Sequence, residues 1–136
     1  MVCKVAEHGI LGQHTQYPSQ YDAKLLFPIA RHEARERLGI FTPLPFIGQD
    51  IWNAYELSWL DKAGRPRVGL AEIIVPATSE NIIESKSFKL YLNSLNQTRI
   101  GDSERLRQML VSDIGRACGG KVTVTNVKRY PASRIT

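Results

Sequence analysis

Two stretches rich in β-branched and aromatic residues, separated by six turn-forming residues, constrain this chain more than any other feature. From Gln49 to Leu60 the sequence carries Ile51, Trp52, Tyr55, Leu57 and Trp59. Side chains alternate across a strand with a period of two, so Ile51, Asn53, Tyr55, Leu57 and Trp59 are expected on one face. Asp61-Lys62-Ala63-Gly64-Arg65-Pro66 supplies turn residues, and Arg67 to Pro76 resumes with Val68, Leu70, Ile73, Ile74 and Val75. Such a pair predicts an antiparallel hairpin, with Ala77 to Asn81 as a loop after it.

A hairpin alone cannot bury its own faces, so the next segments must cover it. From about Lys86 to Asn96, Phe88, Leu90, Tyr91, Leu92 and Leu95 recur at helical spacing, with Lys86 and Lys89 on the flank. A second helix starts at Asp102 or Ser103, either of which can accept a bond from a first-turn amide. Its apolar stripe is Leu106, Met109, Leu110, Ile114 and Ala117, and Gly119-Gly120 provides a left-handed stop. Lys121 to Val127 reads as a third strand. The order strand, strand, helix, helix, strand predicts an α+β fold with the helices on one face of an antiparallel sheet. Lys128 to Thr136 is nine residues with Pro131 inside, little material for a fourth strand. An open sheet edge is therefore expected to pair with a partner chain or with the remainder of a longer polypeptide.

Residues 1–48 lack a sustained period, and Pro18, Pro28, Pro43 and Pro45 interrupt regular structure. They are expected to form an irregular arm whose Tyr17, Tyr21, Leu25, Leu26 and Phe27 lie over the domain, with one charged helical turn at Arg31 to Arg37. The expected organisation is thus arm 1–48, module 49–128 and a truncated tail 129–136. A chain of 136 residues with 43% hydrophobic and 23% charged content has the makings of one folded domain. The net charge of +5 favours anionic partners such as nucleotides or RNA. The cations are nevertheless scattered and cluster only at Lys128, Arg129 and Arg134, which fits a solvated surface. Cys3 and Cys118 have neither disulfide-framework nor metal spacing, and His8, His14 and His32 fall in the arm without ligand spacing, so reduced thiols and no metal are expected. No apolar run reaches the ~18 residues of a membrane span, and the first twelve residues are too charged for a signal peptide. A cytoplasmic protein without a membrane partner is expected.

The chemistry concentrates in Glu84-Ser85-Lys86-Ser87-Phe88-Lys89-Leu90-Tyr91, at the entry to the first predicted helix. The free amides and positive dipole end of a first turn attract anions, and Lys86 and Lys89 add charge that could hold a phosphate. The Glu84 carboxylate can accept two parallel bonds from the adjacent N–H donors of a guanine or pterin edge. A capped helix with a solvated lysine face explains the same residues without any ligand. The octet resembles the motif Glu-(Ser/Leu)-Lys-(Ser/Ala)-hydrophobic-Lys-(Leu/Tyr)-(Tyr/Phe/Trp) of the NADPH-dependent 7-cyano-7-deazaguanine reductases, the nitrile reductases of queuosine biosynthesis. The resemblance, to the N-terminal half of the two-module form, extends through Leu11-Gly12-Gln13, Tyr21-Asp22, Leu25-Leu26, Leu44-Pro45-Phe46, Asp50-Ile51-Trp52, Tyr55 to Leu60 and Ile83 to Arg99. It implies the tunnelling fold, whose modules assemble side by side into barrels with ligand sites between them. It also implies contacts from Ile83, Glu84 and Ser85 to the deazaguanine and from Ser85 and Lys86 to NADPH, in an oligomer that reduces a nitrile to an amine.

The departures from that family pattern bear on catalysis. Where the catalytic module reads Cys-Pro-x-x-Gly-x-Pro-Asp, this chain reads Leu60-Asp61-Lys62-Ala63-Gly64-Arg65-Pro66-Arg67. Leucine has no nucleophilic atom, and arginine cannot act as a general acid at neutral pH. The family's His-Glu pair has no counterpart in Asn96 to Asp102. Asp61, flanked by Lys62 and Arg65, reads as a solvated turn residue. Cys118, at the negative end of a helix, is a poor nucleophile. The resemblance therefore implies a module with no catalytic residue of its own, paired with a C-terminal module that carries the Cys and Asp. A non-catalytic oligomer that holds a purine or pterin is the alternative; a direct RNA binder, argued from basicity alone, has no recognition motif behind it.

Overall fold

The computed structural model of the chain describes residues 20–129. Cys3, His8, Leu11-Gly12-Gln13, His14, Tyr17, Pro18, Pro131 and Arg134 lie outside them. The elements in order are a 3-10 turn at Ala23–Leu25, β1 (Pro28–Ala30), α1 (Arg31–Arg37), β2 (Gln49–Leu60), β3 (Pro66–Pro76), β4 (Asn81–Ile83), α2 (Ser85–Asn93), α3 (Ser103–Cys118) and β5 (Thr123–Arg129). The fold is α+β, with a three-stranded antiparallel sheet in the order β2-β3-β5 and a two-stranded antiparallel sheet of β1 with β4.

The hairpin forms where the alternation places it, but its faces differ from strict period two. Ala54 pairs with Ala71 and Leu57 with Gly69, so Tyr55 and Glu56 together oppose Leu70. This bulge inserts one residue and flips the alternation. Trp52 and Ala54 before it therefore share the inner face with Leu57 and Trp59 after it, whereas Ile51, Asn53 and Tyr55 are exposed. Leu57, Trp59, Ala71, Ile73, Val75 and Val124 from the sheet meet Phe88 and Tyr91 of α2 and Leu106, Leu110 and Ile114 of α3. Each large apolar side chain buried this way contributes about 2 kcal/mol.

Both helices begin and end for local reasons. The Asp102 side chain caps α3 by accepting from the Arg105 amide at 2.8 Å, and Gly119 stops it in the left-handed conformation, with φ 65°. Gly120 follows because a side chain there would collide with Ser79, 2.7 Å from the position of its Cβ. The buried face of α3 is Leu106, Leu110, Asp113, Ile114 and Cys118, with Met109 and Ala117 only partly buried. Asp113 is tolerated inside because Tyr91 donates to its Oδ2 at 2.7 Å and Tyr21 at 2.5 Å. Burial, aided by the neighbouring carboxylate, pushes both tyrosine hydroxyls up, that of Tyr21 to about 12. Burial likewise pushes the Cys118 thiol up to about 11. It is an inert structural thiol.

The segment 20–48 is more ordered than its prolines suggest. Leu26 is buried and Tyr21, Ala23 and Leu25 pack against the core. The Phe27 amide donates to Ser87 Oγ at 3.0 Å and the Asp22 amide to Ser94 Oγ at 3.3 Å, so main-chain bonds pin the segment to α2. α1 is seven residues long rather than a single turn. Its Arg31 donates to Ser79 Oγ at 3.1 Å and lies 2.7 Å from Asp50, and Arg35 reaches the Ala77 carbonyl at 2.6 Å. Asn81, expected in a loop, begins β4 instead. Among the described residues no helix is long and apolar enough to cross a membrane.

Candidate functional site

The entry to α2 is built where β4 ends. Glu84 keeps an extended backbone, with φ −63° and ψ 133°, and folds its side chain over the turn that follows. Its Oε2 accepts from the Lys86 amide at 2.6 Å and its Oε1 from the Ser87 amide at 3.0 Å. The residue is 7% exposed, and the carboxylate makes no ion pair among the described residues. The junction is fixed on its other side as well, because the Glu84 amide donates to the Phe27 carbonyl at 2.9 Å and Ser87 Oγ donates to the Glu84 carbonyl at 2.8 Å. Glu84 is thus a capping residue, and each oxygen retains a lone pair beyond the bond that it makes to the helix.

Ile83 has its side chain in the core, 3% exposed, but its main chain is differently placed. It pairs with Pro28, and the bond from the Glu84 amide to the Phe27 carbonyl makes this a non-hydrogen-bonded pair. The N–H and C=O of Ile83 consequently point away from β1, along the outer edge of β4, and no hydrogen bond between described residues uses them. Ser85 is exposed and Lys86 half-exposed. Neither the Ser85 hydroxyl nor the Lys86 ammonium is engaged among the described residues.

Beside this entry, α2 and the edge strand β2 enclose a cleft of about 440 Å³. Trp52, Ala54, Leu57 and Phe88 form its apolar wall, and Ser85 and Lys89 contribute polar groups. The Trp52 and Phe88 rings are 4.9 Å apart and tilted by 35°. Of the four residues expected to bind ligands, Ser85 lines this cleft; Ile83, Glu84 and Lys86 do not. Trp52 was hidden from the sequence by the bulge. Gly69, a glycine in mid-strand opposite Leu57, was the one residue that could have signalled it.

The hairpin tip has a different character. Asp61 is a half-exposed turn residue whose carboxylate organises the turn: its Oδ1 accepts from the amides of Ala63 and Arg65, each at 2.9 Å. Its Oδ2 lies 3.0 Å from Arg65 Nε and 2.9 Å from an Arg67 terminal nitrogen. The Arg65 amide, followed by the guanidinium charge and the other donors, holds this carboxyl below the usual carboxylate range. Leu60 and Ile100 tie the tip to the loop between the helices, with Leu60 N–H to Thr98 O at 2.9 Å and Ile100 N–H to Leu60 O at 2.7 Å. Leu60 offers no nucleophilic atom at this tip. Among the described residues no group of His, Cys, Asp and Glu is arranged to hold a metal ion.

Comparison with known proteins covers most of the chain. A family described as nitrile reductase, 7-cyano-7-deazaguanine-reductase N-term, matches residues 17–126. A protein of Burkholderia mallei (strain SAVP1) named NADPH-dependent 7-cyano-7-deazaguanine reductase is 57% identical over 118 residues, 87% of this chain and 43% of its own length. Proteins of the same name from Burkholderia orbicola (strain MC0-3) and Bordetella avium (strain 197N) are 52% identical over 95% of this chain and 54% identical over 92% of it. The chain spans less than half the length of these relatives, 47% of the first and 46% of the second. By the extent of the match, the chain belongs to the family of 7-cyano-7-deazaguanine nitrile reductase N-terminal regions.

Proposed function

We propose that this chain serves as the N-terminal module of an NADPH-dependent nitrile reductase of tRNA queuosine biosynthesis. It binds 7-cyano-7-deazaguanine and NADPH, while a Cys and an Asp on a separate C-terminal module carry the covalent step to the aminomethyl product. The observation that best supports this is the run Ile83 to Lys86. A fixed carboxylate stands there beside a main-chain N–H and C=O, a hydroxyl and an ammonium that no bond among the described residues uses. Glu84, with the lone pairs that capping leaves, accepts the paired N–H donors of the guanine edge, and Ile83 and Ser85 complete the ring's polar contacts. Ser85 and Lys86 fit the dinucleotide, since both present donors at the positive end of α2. NADPH when bound supplies hydride.

Leu60 and the Arg67–Asp61 pair support the absence of the covalent chemistry from this module. In this reading 1–48 is an arm, 49–128 the module and 129–136 a tail, and the protein works in the cytoplasm. Apart from the bridge between Leu60 and Arg99 at the end of β2, the outer strands β2 and β5 have no second strand neighbour among the described residues, which supports strand pairing with the C-terminal module and with further copies.

The test is NADPH oxidation in the presence of 7-cyano-7-deazaguanine. The chain alone is expected to show none, and turnover is expected when the C-terminal half of the Bordetella avium relative is added. Turnover by the chain alone overturns the assignment. Deazaguanine binding by a closed ring of copies that no added half can activate favours the non-catalytic purine or pterin binder instead.

A further inference from the structure

The hairpin tip carries a second cleft that the reading above leaves unused. It measures about 380 Å³, lies against Trp59 and is lined by Asp61, Lys62, Arg65, Arg67 and, from the start of α3, Asp102 and Ser103. Its charges do not cancel. Asp61 spends Oδ1 on two amides and Oδ2 on two guanidinium groups, so its acceptor capacity is consumed locally. Asp102 accepts from the Arg105 amide through Oδ1 and keeps its charge, so the lining sets three cations, Lys62, Arg65 and Arg67, against two carboxylates. A guanidinium carries five N–H donors, and Arg65 and Arg67 each use one on Asp61. The Lys62 ammonium has no partner among the described residues. The Arg99 guanidinium stands at the rim, where it donates to the Lys62 carbonyl at 3.3 Å and passes over Gly64.

The cluster is also held in place. Leu60 bonds to both Thr98 and Ile100, and the Lys62 stem passes Gly101 so closely that a Cβ there would lie 3.2 Å from its Cε. The donors therefore converge on one concavity from the hairpin on one side and the α3 start on the other. A planar carboxylate matches a single guanidinium edge. A tetrahedral dianion matches donors that arrive from several directions, and a hydroxyl such as that of Ser103 can serve it too. We propose that this cleft is an anion site for a phosphate dianion, either free or as the terminal group of a small phosphate ester. The inference is independent of the deazaguanine reading, since it uses none of the residues at the α2 entry.

The test titrates the full chain, at low ionic strength, with inorganic phosphate in one arm and adenosine monophosphate in the other, followed by calorimetry and thermal shift. Saturable binding is expected with a dissociation constant on the order of 1 mM. Lys62→Glu, which removes a cation without a partner, should weaken it about tenfold or more, and Arg65→Gln should weaken it as well. Lys24→Glu, an equal change of net charge on the distant 3-10 turn, should leave it unaltered. Tighter binding of the ester identifies an esterified ligand, and equal binding identifies free phosphate; both support the site. Absence of saturation in both arms overturns the proposal, as does equal weakening by Lys24→Glu and Lys62→Glu. So does binding of RNA without binding of either phosphate.

Discussion

The α2 entry and the hairpin tip solve the same problem in two ways. At each, a strand ends and an acidic side chain folds back to accept two main-chain amides: Glu84 from Lys86 and Ser87, Asp61 from Ala63 and Arg65. The difference lies in what else arrives. Asp61 receives two guanidinium groups, whereas Glu84 receives no cation among the described residues and is buried beside the core. A carboxylate held only by amides is fixed without being neutralised, so its remaining lone pairs stay available to a neutral donor edge. One held by amides and two guanidinium groups is structurally complete. Position relative to the strand end is shared; the supply of positive charge is what separates the acid with open lone pairs from the brace.

Replacing Glu84 breaks the comparison most severely. Glu84→Ala removes the cap from α2 and should cost about 2 kcal/mol in chemical denaturation, with loss of deazaguanine binding. Glu84→Gln is the sharper variant. It keeps the shape but turns one acceptor into a donor facing a helix amide, so stability should fall by about 1 kcal/mol. Deazaguanine affinity should drop by at least ~10-fold, equivalent to about 1.4 kcal/mol. Unchanged affinity in Glu84→Gln would mean that the carboxylate serves the helix alone.

How far the sequence could be read follows the same physics. The hairpin, the two long helices and the third strand were legible because each repeats an apolar pattern over seven residues or more. β1 and β4, three residues each, carry too few alternations to register, and their pairing brings together residues more than fifty positions apart. Asp113 interrupts the α3 stripe as a charge on a buried face, a position that makes sense only once Tyr21 and Tyr91 are seen to converge on it. The resemblance implies ligand contacts from Ile83 through Lys86, but the groups of Ile83 that stay open among the described residues belong to its main chain, which no side-chain pattern reports. A bulge changes parity without changing composition, so alternation alone sets Ile51, and not Trp52, on the face of Leu57 and Trp59.

A smaller effect probes the rigidity of the tip. Gly64 adopts φ +84°, where a side chain strains the backbone, and a Cβ would lie 3.0 Å from an Arg99 terminal nitrogen. Gly64→Ala should therefore destabilise by about 1–2 kcal/mol, as expected for an L-residue in the left-handed region. Gly39 has φ +73° with nothing within 4 Å, so Gly39→Ala isolates the backbone component. Nearly equal losses are expected in the two variants, because the Arg99 side chain can move aside. A clearly larger loss at Gly64 would show that Arg99 is locked over the turn.

The smallest expected effect tests whether the Asp61 brace is electrostatic. Its folded pKa lies below the ordinary value of 3.8, chiefly through the Arg65 amide and then the Arg65 charge. A depressed carboxylate contributes stability in full above its unfolded pKa, and the contribution is lost as the pH falls through the lower folded value. Wild type and Asp61→Asn should thus differ at neutral pH, and the gap in urea midpoint should close as the solution is acidified past that range. Glu104 is lowered by Arg107 in a similar way, so Glu104→Gln provides a matched exposed pair without the turn amides. Added salt should shrink the Glu104 difference more than the Asp61 difference, because amide dipoles at contact distance are screened less than a solvent-exposed ion pair. Equal salt sensitivity would mean that the guanidinium groups, and not the turn amides, hold Asp61, and the likeness between the two strand ends would then be superficial.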